Sequence, residues 1–323
     1  MATKVNPVTG ALDYYEQALP PFRNKLINGN FDIWQRDTSQ TSSGYGSVDR
    51  WRPIHVGSSK TASQQAFTNG QTDVPGNPRY YFRHVVTSSA GAANYVLVYQ
   101  PIENVRTLAG KESTLSFYAK ADSSKNIATE ITQWFGTGGS PSSWNTGNEV
   151  TTHNLTNAWQ KFTVTVTIPS ISGKTIGTNN DDYLGLYFHF DAGSDYNSRT
   201  NSLGQQSGTF DIAQVQIEEG TSSTPFEQRQ IGTELSLCQR YYFSSSFKFG
   251  GRVTTGSGNR ETISFPNTMR AAASVSLSSE SKSNVGTTFV ELETKNNFTV
   301  YFLGSATTDA AVYSANYAAA SEL

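Results

Sequence analysis

The sequence predicts an all-β protein, and three observations carry that reading. Apolar and polar residues alternate over many short segments. Those segments are separated by stretches rich in Gly, Ser, Asn and Asp. Ser, Thr and Asn number 39, 37 and 23 of the 323 residues, a composition suited to the wet faces and turns of sheets. Period-two patterning with turn signals between short runs indicates a sandwich or a barrel.

Along the chain, residues 1–24 have neither a strand nor a helix period, and they carry Pro7, Pro20, Pro21 and the pair Tyr14–Tyr15. They read as an N-terminal anchoring arm, with Tyr14, Tyr15, Pro20 and Pro21 as its docking residues. The next strand candidates are 79–86, 94–100 and 113–120, the last placing Leu115, Phe117 and Ala119 on one face. A strand at 126–135 follows, and then a Gly/Ser loop at 136–148. In 159–168, Phe162, Val164, Val166 and Ile168 share one face and Thr163, Thr165 and Thr167 the other, a half-buried antiparallel strand. In 183–190, Leu184, Leu186, Phe188 and Phe190 do the same. The strand 208–218 shifts its apolar phase between Ile212 and Ala213, as a β-bulge would.

One segment breaks the rule. Ile231, Leu235, Cys238 and Tyr242 recur at helical spacing, which predicts a linker helix over 229–242 with Thr233 as N-cap. Six short strands are then expected, at 240–249, 261–265, 273–278, 286–292, 298–303 and 311–317. The organisation is an arm (1–24), a large β domain (25–228), the linker helix (229–242) and a smaller C-terminal β domain (243–323). A chain of 323 residues suits two domains.

Composition removes several function classes. With 24 basic against 26 acidic residues there is no basic excess for nucleic acid. The single cysteine excludes an internal disulfide framework and a cysteine-clustered zinc site. No apolar run is long enough to span a membrane, and MATKVNPVTG has no signal-peptide core. The expectation is a protein made without classical secretion, in the cytosol or in a particle assembled there.

Signatures of a nucleophile elbow, a phosphate loop and a zincin helix are absent. Asp181–Asp182, Asp191–Asp195 and Glu218–Glu219 are the acid pairs that glycoside hydrolysis would need, and each falls in a loop or at a strand end. Asp191 and Asp195 alone are too few oxygens for calcium. Trp34, Trp51 and Trp159 abut strand patterns and are expected in the core. Trp134 and Trp144 bracket the Gly/Ser loop, where exposed rings can stack on a sugar. Trp134, Trp144 and Tyr196 are the candidate glycan-contact residues; no catalytic residue, metal ligand or cofactor is expected.

Several motifs together resemble a bacteriophage virion protein module. They are Leu26-Ile27-Asn28-Gly29-Asn30-Phe31-Asp32-Ile33-Trp34-Gln35-Arg36, Val48-Asp49-Arg50-Trp51, Ser116-Phe117-Tyr118-Ala119-Lys120 and Trp159-Gln160-Lys161-Phe162. The stretches Val215-Gln216-Ile217-Glu218-Glu219-Gly220 and Cys238-Gln239-Arg240-Tyr241-Tyr242 close it, and Phe265-Pro266-Asn267-Thr268-Met269-Arg270 is similar to the small β domain that often follows. The module is similar in outline to jelly-roll carbohydrate-binding modules, but Asp32 stands where those have Glu, and Ala213-Gln214 where they have two aspartates. The calcium those acids hold is therefore not expected here. The resemblance implies a jelly-roll β-sandwich, then a short linker helix and a smaller C-terminal β domain. It implies a non-enzymatic tail fibre or spike component of the virion: a homotrimer contacting other tail or capsid proteins and host-surface polysaccharide, without nucleic acid or membrane insertion. A head or tail decoration protein and a glycan depolymerase are the competing readings.

Overall fold

The computed structural model describes residues 2–5, 12–15 and 19–323. The chain is all-β. Its strands are β1 (Ala2–Val5), β2 (Leu12–Tyr15), β3 (Ser39–Gln40), β4 (Arg52–Val56), β5 (Ser59–Ala66), β6 (Tyr80–Thr87), β7 (Tyr95–Glu103), β8 (Glu112–Ala121), β9 (Lys125–Trp134), β10 (Asn145–Leu155), β11 (Gln160–Thr167), β12 (Tyr183–Ala192) and β13 (Gly208–Glu219). After the short helix α1 (Asn197–Thr200), which precedes β13, and the linker helix α2 (Ile231–Gln239) come β14 (Tyr242–Val253), β15 (Gly258–Ser264), β16 (Ser274–Ser283), β17 (Val285–Glu293), β18 (Asn297–Gly304) and β19 (Thr308–Ala320).

Strands β3 to β13 form a jelly-roll sandwich. One sheet has the order β10-β9-β12-β7-β4 and the other β11-β8-β13-β6-β5-β3, and successive strands repeatedly cross from sheet to sheet. The inward residues of both sheets make one core. Its centre is aromatic: Phe31 lies 5.3 Å from both Trp51 and Phe82, and Phe117 meets Phe188 edge-on at 5.0 Å. Such pairs add stability beyond the area they bury.

The predicted faces of β8 and β12 are the faces that pack, with Leu115, Phe117, Leu184, Leu186, Phe188 and Phe190 all in the core. The opposite face of β12 differs from expectation. Instead of facing water, Tyr187 and His189 are buried beneath side chains of neighbouring strands. The bulge in β13 lies just beyond the expected place: the register against β8 shifts between Ala213 and Gln216, and Gln214 has φ 49.

Further departures concern β10, Trp159 and the linker helix. Strand β10 begins inside the segment read as a loop. Its sequence does not alternate because two register shifts, at Asn145/Asn148 and Asn148/Thr151, break the period. Trp159 is only partly buried and lies outside the core, against Phe67 and Tyr81 at 5.2 Å. Strand parity accounts for this: Phe162 and Val164 point inward, so an odd-numbered neighbour points outward. The linker helix ends at Gln239, and Gln230 is its N-cap, in extended conformation. Thr233 is therefore inside the first turn. Ile231 is 61% exposed, and Tyr242 has left the helix for β14, where it pairs with Ala320 of β19. Of the predicted stripe, Cys238 is the fully buried member, and burial pushes its thiol well up.

The segment read as aperiodic holds two short strands, β1 and β2, paired antiparallel with Thr3 opposite Tyr14. The side chains of Tyr14 and Tyr15 lie outside the described residues; Pro20 and Pro21 are exposed. From residue 22 the chain is clasped to the segment after β13. The Asn24 N–H donates to Glu227 (2.8 Å), Arg23 Nε donates to Thr224 Oγ1 (2.8 Å) and Arg229 Nη1 donates to the Leu26 carbonyl (3.0 Å).

The last six strands form two three-stranded sheets, β14-β19-β16 and β15-β18-β17, around Met269, Phe298, Phe302, Tyr313 and Tyr317. This unit is locked to the sandwich. Arg36 donates to Glu322 at 2.9 Å, fully buried Arg50 also pairs with Glu322, and the two guanidinium groups stack on Tyr242 (3.6 Å) and Tyr241 (3.4 Å). Arg240 and Tyr241 both donate to Glu103 at 2.8 Å. No helix among the described residues is long and apolar enough to cross a membrane.

Candidate functional site

Period-two geometry sends alternate residues of the five-stranded sheet outward, and this outer face holds a second cluster separate from the core. A cross-strand row runs through it. Glu130 on β9 is opposite Tyr187 on β12, Tyr187 is opposite Tyr99 on β7, and Tyr99 is opposite Arg52 on β4. The Tyr99 and Tyr187 rings are parallel, 4.4 Å apart with an interplanar angle of 2°. They form the floor of the face. Gly185 makes room for the rings: a Cβ there would come within 2.6 Å of Tyr187 and of the Thr132 hydroxyl.

The three predicted glycan-contact residues all converge on this face. Trp134 ends β9 with its ring 6.1 Å from that of Trp144, at 86°, and 6.5 Å from that of Tyr183. Trp144 is 39% exposed. Tyr196, in the short turn Ser194–Tyr196, packs on Tyr95 at 4.7 Å. The residue that joins them, Arg199, carries no sequence signal. It sits in a one-turn helix (Asn197–Thr200), and its guanidinium lies 4.8 Å from the Trp144 ring, 5.6 Å from Tyr187 and 6.0 Å from Tyr196.

Arg199 is held from below. Its Nε and Nη2 each donate to the Glu130 carboxylate at 2.8 Å, a bidentate pair of the stronger, charge-assisted kind. His189 is 3.0 Å from the same carboxylate, and the Gly147 N–H donates to it at 2.7 Å. Burial opposes the charge on Glu130, but the hydrogen bonds from His189 and Arg199 outweigh it and hold the carboxyl below its ordinary range. Burial keeps His189 neutral in spite of that carboxylate. Burial also pushes the tyrosine hydroxyls up, Tyr183 to about 12, so they remain protonated donors. The result is an exposed Trp144 ring with partly buried Trp134, Tyr183 and Tyr196 near it, above the buried Tyr99–Tyr187 pair and beside the Arg199 and Arg52 guanidinium groups. Trp144 and the partly buried rings around it can offer apolar surface, and the guanidinium groups polar contacts, the two kinds of contact a sugar takes.

The acid pairs are dispersed into structural roles. Asp181 accepts from the Thr137 N–H and hydroxyl, both at 2.7 Å, bracing the Gly/Ser loop, while Asp182 accepts from the Val105 N–H at 2.8 Å. Asp191 is buried under Ser58 and Ser88 hydroxyls (2.6 and 2.8 Å), and Asp195 is exposed. Glu218 binds Thr224 and faces Arg23, and Glu219 pairs with Lys111. Among the described residues, no three His, Cys, Asp or Glu side chains gather as a metal site would require.

No family model matches the chain, and no curated protein matches it. Solved structures to which it is similar include a CBM4 module (20% identity, 60% of this chain and 98% of that one, TM-score 0.33). Another is the enzymatically active domain of tailspike protein 4 of bacteriophage CBA120 (12% identity, 62% and 22%, TM-score 0.36). A third is the family 11 carbohydrate-binding module of Clostridium thermocellum in complex with a β-1,3-1,4-mixed-linked tetrasaccharide (11% identity, 58% and 98%, TM-score 0.33).

Proposed function

We propose that the protein is a non-enzymatic structural component of a phage particle, a tail fibre or spike part, that binds host-surface glycan through the outer face of its five-stranded sheet. One observation supports this most: Trp144 and Tyr196, distant in sequence, both lie against Arg199, and Trp134 meets Trp144 edge-on beside the stacked tyrosines. The motif resemblance supports the particle assignment. On this reading, residues 1–24 dock the chain on other tail or capsid proteins in a virion assembled in the host cytoplasm, and the chain works as a homotrimer.

Binding to an array of bacterial surface glycans tests the first part. Wild-type protein is expected to be retained, and Trp144→Ala to weaken retention about tenfold, since stacking contacts of this kind contribute about 1–3 kcal/mol. Absence of retention across the array would overturn glycan binding. Immunogold labelling of intact particles tests the second part: label confined to the tail supports a fibre or spike, and label on the head would favour the decoration reading.

A further inference from the structure

The two arginines of the aromatic face are not equivalent. Arg52 ends one cross-strand row, and Glu130, three inter-strand steps of about 4.8 Å away at the other end, holds Arg199 from the helix Asn197–Thr200. Arg199 is neutralised by its bidentate pair with Glu130. Arg52 forms no ion pair with any described residue; its Nη1 donates to the Tyr99 hydroxyl at 2.7 Å, and its other close neighbour is the Tyr45 ring at 5.6 Å. Its Nε is buried without an acceptor. Nearby on the same face, the buried Thr132 hydroxyl also has no partner.

A guanidinium left half-desolvated and without a counter-charge is unfavourable by itself, and it becomes favourable when an anion supplies the missing partner. A neutral sugar needs donors, which the tyrosine hydroxyls already provide. A net positive charge beside the floor is surplus for that task. We infer that the face takes an acidic glycan, whose carboxylate or phosphate oxygens pair with Arg52 while its rings stack against Trp134, Trp144 and Tyr183. This rests on the glycan-binding reading of the same face and specifies its substrate class.

Affinity electrophoresis of the full chain tests it, with four probes in the gel: polygalacturonate, its fully methyl-esterified form, phosphomannan and the same mannan after dephosphorylation. Each acidic probe thus has a neutral twin, and the acid that retards the protein distinguishes carboxylate from phosphate. Retention is expected on an acidic probe over its twin, and to fall as salt is raised. Arg52→Gln is expected to weaken acidic retention by about tenfold, the scale of one charged hydrogen bond, and Arg52→Lys to restore part of it. Equal retention on acid and twin, or an Arg52→Gln protein that behaves as wild type, overturns the acidic class and leaves glycan binding standing. No retention of any probe overturns both. Melting temperatures are measured alongside; if the Gln variant melts early, the Lys variant and the neutral twins decide the question.

Discussion

At the residue scale, three of the four histidines are inside the molecule and neutral. His153 lies edge-on to Phe117 at 5.0 Å, 2.9 Å from the Thr129 hydroxyl, and burial lowers it to about 4. His84 is fully buried against Phe82 and Phe190, and both ring nitrogens lack partners. A histidine lowered in the folded state binds fewer protons there than in the unfolded chain. The stability it contributes is complete above pH 6.5 and is lost as pH falls toward 4. For His153 the gap between 6.5 and about 4, at about 1.4 kcal/mol for each pH unit, is on the order of 3 kcal/mol. Asp49 opposes this: burial raises it to about 7, so its ionisation destabilises the fold as pH rises from 4 to 7. Urea titrations from pH 4 to 8 should therefore show a shallow rise for wild type. His153→Gln should flatten it, and Asp49→Asn should steepen it. A wild-type curve falling toward pH 8 would mean that Asp49 outweighs the histidines.

At the element scale, the Asn28-Gly29-Asn30 motif has a packing explanation. The Gly29 carbonyl accepts the Val215 N–H of β13 at 2.8 Å. A Cβ at position 29 would meet the Val215 carbonyl oxygen at 2.2 Å. Gly29→Ala is expected to cost about 1–3 kcal/mol by denaturant unfolding, as overpacking does, while Gly70→Ala, in open space but with φ +79, should cost less. Strands such as β8, β11 and β12 were legible because one clean apolar face faces the core. Strand β10 was not, because its two register shifts erase the period that identifies a strand. The candidate face was half legible. Loop tryptophans announce themselves, but the floor tyrosines sit at outward positions indistinguishable from solvent-facing ones, and Arg199 and Arg52 are ordinary in sequence. Only the pairing register brings Glu130, Tyr187, Tyr99 and Arg52 into line.

At the scale of the whole molecule, Glu322 joins the two halves. It is the common acceptor of Arg36 and fully buried Arg50, and the Tyr45 hydroxyl donates to the Leu323 carbonyl beside it at 3.3 Å. Removing one member of such a pair strands the other without compensation. Glu322→Gln is expected to destabilise the protein by about 3–5 kcal/mol and to make the segment between α2 and β14 protease-sensitive. A variant that melts and digests as wild type would show that the stacked Tyr241 and Tyr242 suffice to hold the halves together. Chain length and strand patterning point to two β units but not to this join, which is built from residues some 270 positions apart.

The clasp between residues 22–26 and 224–229 has a mechanical consequence. The sandwich's incoming and outgoing strands meet at one place, so tension between an attached N-terminal segment and a loaded C-terminal unit runs across a few short bonds at Asn24, Glu227 and Arg229. The strands of the aromatic face meet the C-terminal unit at Glu103, the end of β7. A single-molecule pull on the two ends should first break the clasp in a small extension step.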